Sequence, residues 1–215
     1  MARRLCIVGT SGYAKEVAQI ARRVDPKRER WDTISYVSHS AAEKGGSRLF
    51  GTVDFCDADL LSGQLSAEIV IGVGEPALRR AVAARYVEIQ SFSFPNLIDP
   101  TVAFDAELVA LGRGNVLHQG VIVTCAIIVG DFNLFNKGAI VSHDVRVGSF
   151  NSVQPGAALL SNSSLGDGCM IGTGARVLPK IFVADRTSLG AGAVLLEDVS
   201  EPGQVLVGVP AKRLR

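Results

Sequence analysis

Three histidines are available for acid–base work in this chain of 215 residues: His39, His118 and His143. His143 is followed at once by Asp144. A neutral imidazole takes a proton well from an attacking amine or hydroxyl near neutral pH. A carboxylate beside it holds the ring tautomer and steadies the imidazolium that forms. His118 reads as structural or interfacial, and only two histidines fall in the second half of the chain, too few for a three-histidine metal site. The four cysteines, Cys6, Cys56, Cys125 and Cys169, form no CxxC pair. That excludes a zinc ribbon and argues against a disulfide framework, so no metal is expected. Cys125 lies eighteen residues before His143, which leaves a covalent route through its thiol open. A last cluster, Gly9-Thr-Ser-Gly12-Tyr13-Ala-Lys15, follows an apolar run and opens a helix. Helix N-termini accept phosphate. The spacing is neither that of a dinucleotide fingerprint nor that of a P-loop, and a plain strand-to-helix turn is the alternative.

Two kinds of element must position these groups. Residues 1–94 alternate strand and helix. Leu5–Gly9 is an apolar run into a glycine turn. Residues 14–24 place Val17, Ile20, Ala21 and Val24 on one helical face, and Asp25-Pro26 ends that helix. Thr33–Val37 and Glu68–Val73 read as further strands. Pro76 suits the first turn of a helix over Ala77–Val87, and a short helix is expected near Asp57–Leu61. The stretch 38–60 otherwise reads as irregular. The pattern predicts a small parallel α/β, Rossmann-like domain.

Residues 95–215 obey a different rule. From Leu111 to Leu195, every sixth residue is Val, Ile or Leu, with Phe135 the one departure over fifteen positions. Small residues often stand four places later, as at Ala139, Ala157, Cys169, Ala175 and Ala193. Gly112, Gly130, Gly148 and Gly166 recur every eighteen residues. A period of six within a period of eighteen means a short strand and a corner, three sides to a coil, five coils in all. The periodic aliphatic points inward, and the glycines are expected to supply corner conformations closed to other residues.

The chain resembles the hexapeptide-repeat, left-handed β-helix acyltransferases. More specifically it resembles the PglD-like sugar acetyltransferases of the sialic acid O-acetyltransferase and bacillosamine-pathway type. The resemblance rests on Ile7–Val17, on Gly138-Ala-Ile-Val-Ser-His143-Asp144, on Val147–Ala157, on Leu189–Val194 and on Gly208-Val-Pro-Ala-Lys212. It implies an α/β domain before a triangular β-helix, and His143 as general base with Asp144 beside it. It implies the backbone N–H of Ser161, one coil on, as oxyanion donor. Acetyl-CoA is the implied acyl donor, its arm lined by Ser152, Ser161, Thr173 and Ala191, its nucleotide end by Pro210, Ala211 and Lys212. A nucleotide-sugar diphosphate is implied at Gly9, Ser11, Gly12 and Tyr13, near Ser38, with Gly72 to Glu75 (including Gly74) lining the same pocket. Two departures stand out: Tyr13 replaces a frequent histidine, and Val37-Ser38-His39 replaces frequent acidic residues. A homotrimer with sites between subunits is also implied.

The expected function is acetyl-CoA-dependent N-acetylation of a nucleotide-linked amino sugar, in polysaccharide or glycan precursor synthesis. O-acetylation of a sialic-acid-like sugar is one alternative. A non-catalytic nucleotide-sugar-binding β-helix protein is another. A net charge of +1 argues against nucleic acid or anionic membrane as partner. With no apolar run of spanning length, a cytoplasmic protein is expected.

Overall fold

The computed structural model describes residues 3–63 and 65–214. Its first part is an α/β layer. Strand β1 (Arg4–Val8) leads into helix α1 (Gly12–Val24), followed by β2 (Thr33–Ser38), β3 (Ser47–Arg48) and β4 (Gly51–Cys56). Then come α2 (Asp57–Leu61), β5 (Ala67–Ile71), α3 (Pro76–Ala83) and β6 (Phe92–Ser93). The six-stranded sheet runs β3-β4-β2-β1-β5-β6, all parallel except the β3–β4 pair. Helix α1 stops where expected, because the Asp25 carboxylate accepts the backbone N–H groups of Glu29, Arg30 and Trp31 and turns the chain.

Two expectations change in this part. The stretch taken as irregular carries β3 and β4, and β4 lies parallel beside β2. Its inward residues, Val53 and Cys56, are separated by polar and half-exposed ones, so it lacks the continuous apolar run of β1. Helix α3 ends at Ala83 rather than Val87, and the turn that follows directs Arg85 and Tyr86 onto Asp57.

The second part is a parallel β-helix of triangular section. Side 1 holds 97–98, 116–117, 134–135, 152–153, 170–171 and 188–189, extended by 205–207 and 212–213. Side 2 holds the five strands at 122–123, 140–141, 158–159, 176–177 and 194–195, and side 3 the five at 109–111, 127–129, 146–147, 164–165 and 182–183. The six-residue pattern becomes stacking: Val123, Val141, Leu159, Val177 and Leu195 pair in register down side 2. Leu117, Phe135, Val153, Ile171 and Leu189 do so down side 1. These side chains form one buried core. Each fully buried aliphatic contributes ~1.5–3 kcal/mol of apolar burial.

The role given to the corner glycines is corrected. Gly112, Gly130, Gly148 and Gly166 are not left-handed. They permit close stacking: a Cβ on Gly130 would sit 2.9 Å from the Gly148 carbonyl carbon of the next coil. The left-handed residue comes two places later, again every six residues. Glycine fills it at Gly138 and Gly156, but Asp144 (φ 60°), Phe132 (φ 54°) and Phe150 (φ 61°) hold it without glycine's freedom.

The two parts share a core. Val116 and Leu134, on the outer face of side 1, pack with Val17, Ile20 and Leu97 beneath α1. Phe132 joins Tyr86, Phe92 and Phe94 beneath α3.

Candidate active site

His143 stands at the corner between sides 2 and 3, two residues past the inward Val141. Its Nδ1 lies 2.7 Å from Asp144 Oδ2. Adjacent residues rarely meet this way, and here the left-handed backbone of Asp144 accompanies the contact. A carboxylate only accepts, so Nδ1 donates, and in the neutral form of the ring Nε2 is the nitrogen with the lone pair. Both side chains are about half exposed. Cys125 and Ser161 occupy the same corner one coil below and above; Asp144 N–H donates to the Cys125 carbonyl and Asn162 N–H to that of His143. The backbone N–H groups of Cys125, His143 and Ser161 find no acceptor among the described residues. Cys125 is exposed, while burial pushes the Cys6 thiol up to about 12 and the Cys169 thiol to about 11.

Of the residues expected along the acyl-donor arm, Ser161 stays at the His143 corner, and the others lie on another edge or elsewhere. Thr173 and Ala191 are exposed corner residues of successive coils between sides 1 and 2, and among the described residues their backbone N–H groups also find no acceptor. The tail comes back to that edge: Val194 N–H donates to the Gly208 carbonyl, and Ala211 N–H to that of Val194, which sets Pro210 and Lys212 beside it. Ser152 does not join them. It is fully buried, donates to the Gly74 carbonyl at 2.8 Å and accepts from Arg79 at 3.0 Å. Its side chain belongs to the junction between the two parts and is closed to an acyl arm. His143 and Thr173 thus mark opposite edges of side 2, whose outer face exposes Ile122 and Ile140.

The third group lies at the carboxyl ends of β1, β2 and β5, where ligands of parallel sheets bind. A cavity of about 420 Å³ opens there between Val8, Gly9 and Val37 on one side and Val73, Leu78 and Val82 on the other. Gly9 (φ 121°) makes the turn out of β1. Ser11 and Gly12 are exposed at the start of α1, Ser11 makes no side-chain cap, and the first turn holds no acidic residue, so its N–H groups are open to an anion. Ser38 is buried, its hydroxyl accepting from Ser40 N–H. Gly74 lies at the junction, its carbonyl taken by Ser152 and Arg79. Glu75 caps α3 by accepting from the Ala77 and Leu78 N–H groups. Neither Ser38 nor the Glu75 carboxylate is turned to the cavity as a free polar group.

Sequence reasoning missed the polar end of this cavity. His39 Nδ1 lies 2.7 Å from Asp57 Oδ2, and Arg85 and Tyr86 also donate to that carboxylate. Burial alone would raise the Asp57 pKa; hydrogen bonds from Tyr86, His39 and Arg85 outweigh it and hold the carboxyl low. Nothing in sequence marked Asp57 beyond a helix start. Around Tyr13 a second cluster was missed. Lys137 reaches Glu16 at 2.6 Å, and the Tyr13 ring lies 5.7 Å from that of His118. His118 is fully buried with neither ring nitrogen hydrogen-bonded, and burial lowers its pKa to about 4, so it is neutral.

Comparison with known proteins fits this anatomy. Residues 4–86 match the PglD N-terminal domain family. The acetyltransferase domain of PglB from Neisseria gonorrhoeae, solved with acetyl coenzyme A, is 28% identical over 100% of both chains at a TM-score of 0.88. Over nearly its whole length the chain is similar to PglD-like hexapeptide-repeat sugar acetyltransferases. PerB from Caulobacter crescentus, solved with CoA and GDP-perosamine, is 29% identical over 98% of this chain and 97% of its own, at 0.86. WeeI from Acinetobacter baumannii shares the fold at 24% identity, covering 99% of this chain and 100% of its own at 0.85. A comparison with curated proteins finds no match. For the PglD-like chain, the described residues hold no cluster able to bind a metal ion and no helix long and apolar enough to cross a membrane.

Proposed function

We propose that this PglD-like chain transfers the acetyl group of acetyl-CoA to the amine of a nucleotide-linked sugar, directly and without an acyl-enzyme. The observation that carries the mechanism is the His143–Asp144 pair, with Nε2 free, one coil from the open Ser161 amide. The acceptor nitrogen attacks the thioester carbon as His143 Nε2 takes its proton. The Ser161 N–H holds the oxyanion. The C–S bond then breaks, and the proton passes from His143 to the departing thiolate. Amine acceptors are favoured over hydroxyls because the solved relative bound to a sugar substrate holds the amino sugar GDP-perosamine.

The acceptor's nucleotide would lie in the cavity at the sheet edge, its diphosphate against the start of α1. CoA would run along the edge carrying Thr173, Ala191, Pro210 and Lys212. Ser152 is left out of that groove. On one chain, this edge and the His143 edge are separated by the width of side 2. A homotrimer packing side 2 against a neighbour would bring the two edges of different subunits together and cover Ile122 and Ile140.

The test follows CoA release with a thiol reagent. The substrates are acetyl-CoA with UDP-, GDP- and dTDP-linked amino sugars, and the free amino sugars and sialic acid alongside. Turnover on one nucleotide-linked amine supports the reading. Turnover on a hydroxyl acceptor alone replaces it with O-acetylation. Binding of nucleotide sugars without any turnover leaves a non-catalytic binder.

A further inference from the structure

Arg79 keeps only 3% exposure, yet among the described residues no carboxylate pairs with its guanidinium. Instead its N–H groups meet five oxygens. Nε donates to the Phe132 carbonyl at 2.9 Å. One terminal nitrogen donates to the carbonyls of Val73 at 3.0 Å and Gly74 at 2.9 Å. The other donates to the Asn151 carbonyl at 2.8 Å and the Ser152 hydroxyl at 3.0 Å. Val73 and Gly74 follow β5 at the acceptor cavity. Phe132, Asn151 and Ser152 belong to two successive coils of the β-helix.

We propose that Arg79 is a positioning residue for the transfer: it locks the wall of the acceptor cavity to two coils of the β-helix, and so fixes the acceptor relative to the edge that carries His143. The proposal rests on the reading that the acceptor binds at the carboxyl end of β1 and β5. Burial lowers the Arg79 pKa to about 10, so the group stays charged at neutral pH and its donors stay fixed.

The receiving corner is built for this contact. Phe132 and Phe150 occupy left-handed positions that favour glycine. Their rings stack at 5.2 Å, Phe94 meets Phe132 edge-on at 5.3 Å, and Arg80 lies 4.5 Å above Phe150. Arg80 also pairs with Asp167 at 3.1 Å. Bulky side chains in a strained conformation are kept here because they form the face on which α3 docks. A lysine at position 79 has one compact ammonium and cannot span oxygens on both parts.

The experiment uses the full chain with Arg79→Met, Arg79→Lys and Arg79→Ala. Binding of GDP, UDP, dTDP and CoA is measured apart from kcat and KM, together with amide hydrogen exchange over 72–76. The expected result for Arg79→Met and Arg79→Lys is diphosphate and CoA binding within about 3-fold of wild type, kcat lowered ~10²-fold by misplacement, and faster exchange over 72–76. Guanidinium in solution should restore part of kcat to Arg79→Ala. A folded Arg79→Met with kcat within about 3-fold of wild type overturns the proposal, as does unchanged exchange over 72–76. Should Arg79→Met fail to fold, Ser152→Ala removes one Arg79 bond together with the Ser152–Gly74 bond; unchanged kcat and exchange there overturn it equally. A wild-type chain that binds no nucleoside diphosphate sinks the acceptor reading instead, and the exchange measurement still decides whether Arg79 holds the loop.

Discussion

Two corners of the same coil share a backbone and put it to opposite uses. Between sides 3 and 1, side chains of one coil close the amides of the coil before. Asp131 accepts from Arg113 N–H, Ser149 from Asp131, Asp167 from Ser149, and Asp185 from Asp167. Inside that corner, Asn115, Asn133 and Asn151 hand hydrogen bonds up the stack. Between sides 2 and 3 the described residues form no such ladder, and the amides of Cys125, His143 and Ser161 find no acceptor among them. A buried polar group left unpaired is costly, so a structural corner is satisfied from within. A corner that must bind a changing charge keeps its donors for the ligand.

The contrast predicts which corner answers to activity and which to stability. His143→Ala should lower kcat by ~10³-fold while the melting temperature stays within about 2 °C of wild type, since half-exposed surface side chains contribute little to stability. An unchanged kcat would put the base elsewhere. Ser161→Pro comes next. Proline already stands at the equivalent corner position in Pro155 and, one coil above Ser161, in Pro179, so the backbone accepts it. It removes the N–H along with the hydroxyl, and kcat should fall ~10²-fold, whereas Ser161→Ala removes the hydroxyl alone, keeps the donor and should stay within about 3-fold. Equal losses in the two variants would break the oxyanion assignment.

The opposite corner should respond the other way. Asn115→Ala strips a fully buried side chain that accepts from Asn133 N–H and donates to the Gly130 carbonyl. The partners left unpaired cost ~3 kcal/mol, a fall of ~10 °C in thermal midpoint at this size. The kcat of the folded fraction should hold within about 2-fold. The smallest effect is expected at Cys125. Native protein should give one fast-reacting thiol of four, because Cys6, Cys56 and Cys169 are buried, and Cys125→Ala should acetylate at the wild-type rate. A large loss in that variant would revive a covalent route.

Not all of this was legible beforehand. The β-helix was, because a hexapeptide period repeats one local geometry and each inward aliphatic needs only its equivalent a coil away. The conformational role of the glycines was read at the wrong position, because close stacking and left-handed turns both select glycine two residues apart. The α/β sheet was half legible: β1, β2 and β5 are apolar runs, while β4 at the sheet's far side carries a polar pattern. Phe132 and Phe150 had a readable signal, each following Asp or Ser and preceding Asn at an interval of eighteen residues.

By itself, then, the sequence determined the period, the inward face, and the placing of His143, Asp144 and Ser161 on one edge, since a fixed repeat converts residue number directly into position. Only the tertiary structure decided what spans unlike parts. It turned Ser152 from a groove residue into a junction residue. It gathered His39, Arg85 and Tyr86 onto Asp57, and it gave Arg79 oxygens from three separate segments. Those contacts join residues with no common period, and packing of one part against the other selects them.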